Sequence, residues 1–197
     1  MPASTRQVTR DDIIPDANYA AKRRERRAAL APVKALRRIA LGPYCTLYFE
    51  SFETMLFQIQ EMLLTEKGGA AQVADELAAY NPLIPRGREL VATVMFEIDE
   101  PVRRAAVLGG LGGVEDHFFL RIGEFRAPGR PEGDVERTRG DGKASSVHFL
   151  RFALTDQDAA AFRDPAVPVL IGCDHPRYGH LAAIGEASRA ELARDLA

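Results

Sequence analysis

The chain has 197 residues, 46% of them hydrophobic and 27% charged, which is the balance of a globular protein that buries a core without disulfides or metal ions. Its formal net charge of −2 argues against a protein that binds polyanions over its whole surface. Residues 1–12 contain no apolar stretch typical of a secretory signal, and no apolar run reaches the roughly 18 residues of a membrane-spanning helix. The sequence therefore predicts a soluble, cytoplasmic protein in which Cys45 and Cys173 are free thiols.

The N-terminal third predicts a helix followed by a broken strand. Residues 1–10 are polar and are predicted to be flexible, and residues 16–38, rich in Ala, Arg and Leu, are predicted to form a helix. Pro32 predicts a kink or restart in that helix, because proline removes one backbone hydrogen bond and clashes with the preceding turn. Residues 39–50 are rich in β-branched and aromatic side chains and predict a strand that is interrupted at Gly42.

The clearest helix is predicted over residues 52–66, with Ser51 as its N-cap. Its apolar residues recur at the spacing of one helix face: Phe52, Met55, Leu56, Ile59, Met62 and Leu63. A second helix is predicted over residues 71–80, and the strict alternation of residues 89–99 predicts a strand.

The second half predicts mainly hairpins. Strands are predicted at 117–125 and 146–154, as a hairpin whose tip, 126–143, is rich in glycine, proline and charge and is predicted to be mobile. Two further strands are predicted at 167–173 and 181–184, and short helices over residues 101–108, after Thr155 and after a cap at Ser188. Together the elements predict one α+β domain over residues 11–197, with a mainly antiparallel sheet and helices packed against it.

Several short segments, spread over nearly the whole chain, point to one family: Arg37–Arg38, Leu41–Gly42–Pro43, Phe49–Glu50, FQIQEM at 57–62, Tyr80–Pro85, Ser146–Phe149 and His175–Tyr178. With these segments the chain resembles the bacterial family known as domain of unknown function 3501, and FQIQEM is the most specific match. The family has no established activity. The resemblance implies a genomic setting beside rubrerythrin-like di-iron proteins and iron–sulfur reductase subunits, which are therefore candidate partners.

Two polar residues, Glu53 and Gln60, fall within the apolar arc of the 52–66 helix. A buried polar site there would make Glu53 a base or a metal ligand, and Glu50 would join it from the end of the preceding strand. In the structural alternative, Glu53 interacts with the helix dipole near the start of the helix, and the Gln60 side chain forms a hydrogen bond with a neighbouring backbone group.

A single histidine, His148, shares a face with the apolar residues of its strand, so it is expected on the core side. It is either a hydrogen-bonded core residue or a ligand and proton carrier adjoining Glu53. No bound cofactor is the default expectation. A site built from Glu50, Glu53 and His148 would suit iron or manganese.

The remaining polar patterns have mainly structural interpretations. Gln58 and Glu61 are expected on a solvated helix face, and the glycines at 109–113 follow a helix, which favours helix termination over phosphate binding. The segment Cys173–His180 supplies three zinc-type ligands at no standard spacing, so a hairpin turn is the stronger prediction. The basic run at 22–27, continued by Lys34, Arg37 and Arg38, predicts a solvated or salt-bridged helix face, with a partner surface and a nucleic-acid site as alternatives.

Three function classes remain. The first is an accessory or binding protein of a cytoplasmic redox or iron-handling system; the second is a small carboxylate-dependent metalloenzyme; the third is a nucleic-acid binder. The candidate catalytic or metal-binding residues are Glu53, Glu50 and His148, and the candidate binding residues are Gln60, Gln58, Glu61, Arg37 and Arg38. A homo-oligomer is a further alternative.

Overall fold

The computed structural model describes residues 6–131 and 143–196. These residues form six α-helices: α1 Asp16–Leu36, α2 Phe52–Glu66, α3 Gly69–Tyr80, α4 Pro101–Leu108, α5 Asp156–Arg163 and α6 Glu186–Leu192. They also form eight strands: β1 Arg38–Leu41, β2 Cys45–Phe49, β3 Glu89–Phe96, β4 Phe118–Ile122, β5 Phe125–Pro131, β6 Val147–Ala153, β7 Val169–His175 and β8 Tyr178–Ala183. In the two described ranges, no helix combines the length and the apolarity needed to cross a lipid bilayer.

All eight strands belong to one antiparallel sheet, in the order β1-β2-β3-β6-β5-β4-β7-β8. The sheet curls until β1 and β8 are in contact, and its inner face surrounds the larger of two hydrophobic cores. On β3, alternate residues face this core: Leu90, Ala92, Val94 and Phe96. The predicted α+β class with a mainly antiparallel sheet is confirmed.

One buried tyrosine connects the two edges of the curled sheet. The hydroxyl of Tyr178, at the start of β8, donates a hydrogen bond to the carbonyl of Leu41 at 2.7 Å. The same oxygen accepts hydrogen bonds from the backbone N–H groups of Tyr44 at 3.1 Å and Cys45 at 3.0 Å. A single side chain therefore satisfies three backbone groups of the turn between β1 and β2.

The turn between β1 and β2 also depends on Gly42. Its φ is +70°, and a Cβ atom at this position would lie 2.5 Å from the His180 ring on β8. Glycine alone permits both the left-handed backbone and the close approach of β8.

The smaller core lies on the outer face of β3, beneath α2 and α3. Ile59 of α2 is fully buried there together with Met55, Leu63 and Val91. The prediction that the apolar stripe of this helix packs on the sheet is confirmed, because these residues contact the outward-facing side of β3.

The predicted hairpin between 117–125 and 146–154 is wrong in its topology. An additional strand, β5, lies between β4 and β6 and pairs with both. β4 and β5 are joined by a tight turn at Gly123, whose φ is +56°. Residues 126–131 of the predicted mobile tip therefore belong to the sheet, and residues 132–142 lie outside the described part of the chain.

Three other local features differ from the predictions. Val8, within the segment predicted to be flexible, is fully buried, and its backbone exchanges two hydrogen bonds with the side chain of Asn81. α1 continues through Pro32 as one helix. α6 begins at Glu186 rather than after Ser188, with Gly185 as its N-cap residue.

Replacement of Tyr178 by Phe removes only the hydroxyl that connects β8 to the first hairpin. Because two buried N–H groups and one carbonyl would lose their partner, we expect the free energy of unfolding to fall by about 1–3 kcal/mol. Urea denaturation of the purified variant measures this change.

The matched control is Tyr44→Phe, which also removes one phenolic hydroxyl. That hydroxyl accepts an exposed hydrogen bond from Arg103. This variant should change stability by less than about 0.5 kcal/mol. Equal losses in the two variants would contradict the role given to Tyr178.

Candidate functional site

A pocket of about 570 Å³ lies between the outer face of the sheet and helices α1 and α2. Its floor consists of outward-facing side chains of three paired strands, in which Thr93 of β3 lies between Tyr48 of β2 and Phe149 of β6. Met95 lies between Thr46 and Val147 in the next such row. The smaller core therefore leaves a part of this sheet face accessible from one side.

Glu50 lies at the inner end of this pocket, hereafter the Glu50 pocket. It directly follows β2, and its side chain is only 8% exposed. Its two carboxyl oxygens accept hydrogen bonds from the hydroxyls of Thr54 on α2 and Thr93 on β3, each at 2.7 Å. The backbone N–H of Glu50 donates to the carbonyl of Val91, which fixes the residue against β3.

Burial raises the pKa of the Glu50 carboxyl above its ordinary value. The two threonine hydroxyls and the positive charges of Lys34 and Arg37 act in the opposite direction, but desolvation is the largest effect. A buried acid with a raised pKa in a pocket is a typical feature of a functional site.

Arg37, between α1 and β1, holds the end of β2 in place. Its Nε donates to the carbonyl of Phe49 at 3.0 Å, and its Nη2 donates to the carbonyl of Glu50 at 2.8 Å. The same guanidinium forms ion pairs with Asp195 and, at 3.1 Å, with Glu191. Its side chain is 2% exposed, so every one of these partners is needed to offset the loss of water.

A second carboxylate, Glu97, lies on the pocket rim. It accepts hydrogen bonds from the hydroxyls of Thr46 at 2.6 Å and Tyr48 at 2.7 Å, and the guanidinium of Arg38 lies 3.5 Å away. These contacts lower the pKa of Glu97, in contrast to Glu50. The two acids of one pocket are therefore held in environments with opposite effects on ionisation.

A cleft of about 770 Å³ adjoins the pocket along α1. This outer cleft shares Lys34, Tyr48 and Gln58 with the Glu50 pocket, and the ring of Phe57 forms one of its walls. The Nζ atom of Lys34 lies 5.7 Å from the centre of that ring. The two spaces thus adjoin one another, and together they are called the depression below.

The three candidate catalytic or metal-binding residues do not converge. Glu53 is exposed in the first turn of α2, where it accepts a hydrogen bond from the hydroxyl of Ser51. His148 is fully buried on the inner face of β6, opposite Val94, while Glu50 contacts the outer face of the sheet. A metal site built from Glu50, Glu53 and His148 is therefore wrong, because the sheet separates His148 from Glu50 and Glu53 is not buried.

His148 is a core residue, as its alternation predicts. Its Nε2 donates to the carbonyl of Ser145 at 2.9 Å. Within residues 6–131 and 143–196, no three His, Cys, Asp or Glu side chains are grouped so that they could hold a metal ion.

The candidate binding residues separate into structural ones and residues of the pocket. Gln60 is buried and exchanges two hydrogen bonds with the backbone of Ile14, so the structural alternative for this residue is confirmed. The expected solvated face is wrong for Glu61, because α1 packs on it. The carboxylate of Glu61 binds the hydroxyl of Tyr19 and the guanidinium of Arg23.

Two more candidate binding residues, Arg37 and Gln58, have different positions from those expected. Arg37 is buried rather than part of an exposed basic surface, while the side chain of Arg38 is 55% exposed and lies over the Tyr48 ring. Gln58, expected on a solvated face, lines both the Glu50 pocket and the outer cleft. The segment Cys173–His180 forms the hairpin of β7 and β8, as predicted.

Sequence reasoning missed Thr93, Tyr48 and Tyr80 as residues of the site. A weak signal exists for Thr93, since alternation along residues 89–99 places it with Glu97 on the face of β3 that turns away from the larger core. The contact between Thr93 and Glu50 depends on the pairing of β2 with β3, and no local sequence pattern predicts that pairing.

A family model described as "Protein of unknown function (DUF3501)" matches residues 7–196. Among solved structures, the chain is similar to a protein from Burkholderia pseudomallei K96243, described as a novel protein of unknown function and solved at 1.90 Å resolution. The two are 38% identical over 97% of this chain and 100% of that chain, with a TM-score of 0.89. No curated protein matches the chain.

Replacement of Arg37 by Lys should destabilise the fold although it keeps the charge. A lysine presents a single ammonium group and cannot reach two carbonyls and two carboxylates at once, so buried acceptors lose their partner. Because hydrogen bonds to charged groups contribute roughly 1.5–3 kcal/mol each, we expect a loss of about 3 kcal/mol in urea denaturation.

Arg38→Lys is the matched control, because the neighbouring side chain is mostly exposed and pairs with Glu97 at the surface. Its loss should stay below about 1 kcal/mol. If Arg37→Lys lowers the free energy of unfolding no more than Arg38→Lys does, the buried network does not stabilise the protein.

Proposed function

The chain belongs to the DUF3501 family, and we propose that it is a binding protein that holds a small organic molecule in the Glu50 pocket. The observation that carries this proposal is the pocket itself, a preformed space of about 570 Å³ with a buried acid at its inner end. Ligand sites of small molecules have this size, mostly apolar walls and a few converging polar groups.

The walls of the pocket fit this description. Apolar side chains from α2, β3, β6 and the segment after α3 line it: Met55, Leu83, Met95, Val147 and Phe149. Gln58 and Tyr80 add an amide and a phenol. Neither side chain forms a hydrogen bond with a residue in the described ranges, so both side chains are available to a ligand.

We further propose that the protein serves a redox or iron-handling system of the cytoplasm as an accessory component. Support for this setting comes from the family resemblance alone, with rubrerythrin-like or iron–sulfur proteins as partners. The pocket gives the accessory role a physical basis, because a bound small molecule is a means by which such a component receives a signal or delivers a cargo.

The nucleic-acid alternative has weaker support from the geometry. Arg23 is neutralised by Glu61 and Arg37 is buried among carboxylates, so two cations of the basic stretch are engaged within the fold. No stacking platform accompanies the exposed arginines of α1 in the part of the chain that the structure describes, apart from the rings of the outer cleft.

The proposal is tested by filling the pocket. Met95→Trp places an indole on the pocket floor, at a half-buried residue whose neighbours leave room for it. In a strain that lacks the gene, we expect this variant to fold but to fail to restore growth under peroxide stress. Circular dichroism melting of the purified variant checks the fold, and growth curves measure complementation.

Val102→Trp is the matched control, because Val102 is 76% exposed on α4, far from the pocket. It should complement as well as the parent protein. A Met95→Trp protein that melts like the parent and complements fully would end the proposal that the function uses this pocket.

A further inference from the structure

The charges around the outer cleft are not balanced. Within the described residues, Arg23 pairs with Glu61 at 2.7 Å, and Arg38 lies 3.5 Å from Glu97. Arg27 and Lys34 also line the cleft, and neither forms an ion pair with a described residue. The entrance to the depression therefore carries an excess of positive charge, which favours an anion.

The two unpaired cations lie on one face of α1. They are seven residues apart, which corresponds to two helix turns and to about 10 Å along the helix axis. Lys34 lines both the outer cleft and the Glu50 pocket, so its side chain lies where the two spaces adjoin.

Beyond Lys34 the depression combines apolar and polar side chains. Met55, Leu83 and Phe149 line the Glu50 pocket, and Gln58 and Tyr80 place further donors among them. Glu50, the carboxyl at its inner end, is held between two threonine hydroxyls, and burial raises its pKa. Its negative charge opposes a nearby anion, so the head group of an anion is expected at Lys34 rather than at Glu50.

We infer that the Glu50 pocket takes an organic carboxylate with an apolar body. The head group binds Lys34 and the Gln58 amide, and the apolar body covers Met55, Leu83 and Phe149. A carboxylate fits better than a phosphate dianion because a single lysine faces the junction of the two spaces. This inference rests on the proposed binding function and names the class of its ligand.

Three probes of equal length separate the head groups: octanoate, octylammonium and octanol. Isothermal titration calorimetry with the full chain at pH 7 measures their affinities, and amide NMR shifts near Met95 locate the bound molecule. We expect octanoate to bind at least tenfold more tightly than octanol, and octylammonium to bind more weakly than octanol. Equal or tighter binding of octylammonium, or no binding of octanoate, would overturn the inference.

Variants of exposed residues test the role of the lysine without disturbing the fold. Lys34→Gln should reduce the affinity for octanoate to that for octanol. Lys22→Gln removes another exposed cation of α1 that lines neither space and should leave the affinity unchanged. Octanoate binding that survives Lys34→Gln, or that falls equally in both variants, would contradict the assigned head-group site.

Glu50→Gln provides an independent readout, because glutamine resembles a protonated carboxyl and keeps a donor at the same place. Its affinity for octanoate should equal or exceed that of the parent because the charge that opposes the anion is gone, and a tenfold loss would contradict this placement of the head group. If none of the three probes binds and Met95→Trp also fails to complement, the pocket function stands and only this ligand class is excluded. Octanoate binding combined with full complementation by Met95→Trp would instead exclude the pocket function.

Discussion

The buried guanidinium of Arg37 is the constraint on which the site depends. A cation that is 2% exposed is tolerated only where acceptors surround it, and here they come from the end of β2 and from the C-terminal residues Glu191 and Asp195. Three distant parts of the chain must therefore meet at one point. Glu50, whose carbonyl accepts one of these hydrogen bonds, is thereby placed at the inner end of the pocket.

The pocket itself follows from the way in which the curled sheet is covered. The inner face is filled by the larger core, and α2 and α3 cover a part of the outer face with the smaller core. Tyr48, Thr93 and Phe149 lie in one row across three strands on the part that remains accessible. Both proposals rest on this arrangement of a polar and aromatic floor beside a basic helix.

Local patterns predicted a large part of the fold. Alternation along residues 89–99 identified the core side of β3, and helical spacing over residues 52–66 identified the buried face that contains Ile59. β5 was missed because residues 126–131 carry glycine, prolines and arginines, whose strand conformation comes from pairing with two neighbours. Composition alone reports nothing about such pairing.

The site was harder to predict than the fold. Glu50 was among the candidates because it ends a strand, Glu53 because of its position on the helical wheel, and His148 because of strand alternation. None of these local patterns shows whether the three side chains lie on the same side of the sheet. Arg37 was placed in an exposed basic cluster, since its sequence neighbours are cations. Its burial depends on acidic residues more than 150 positions away along the chain.

The charge of Glu50 opposes an anion in its pocket, so the pKa of this carboxyl bears directly on the inferred ligand class. Carbon-13 NMR of glutamate side-chain carboxyls, with the Glu50 resonance assigned by its disappearance in Glu50→Gln, follows this one group through a pH titration. Burial predicts a midpoint clearly above the ordinary value of 4.5, because the charged form is the one that loses water. A midpoint at or below 4.5 would show that Glu50 is a stable carboxylate, and the pocket would then favour a cation instead.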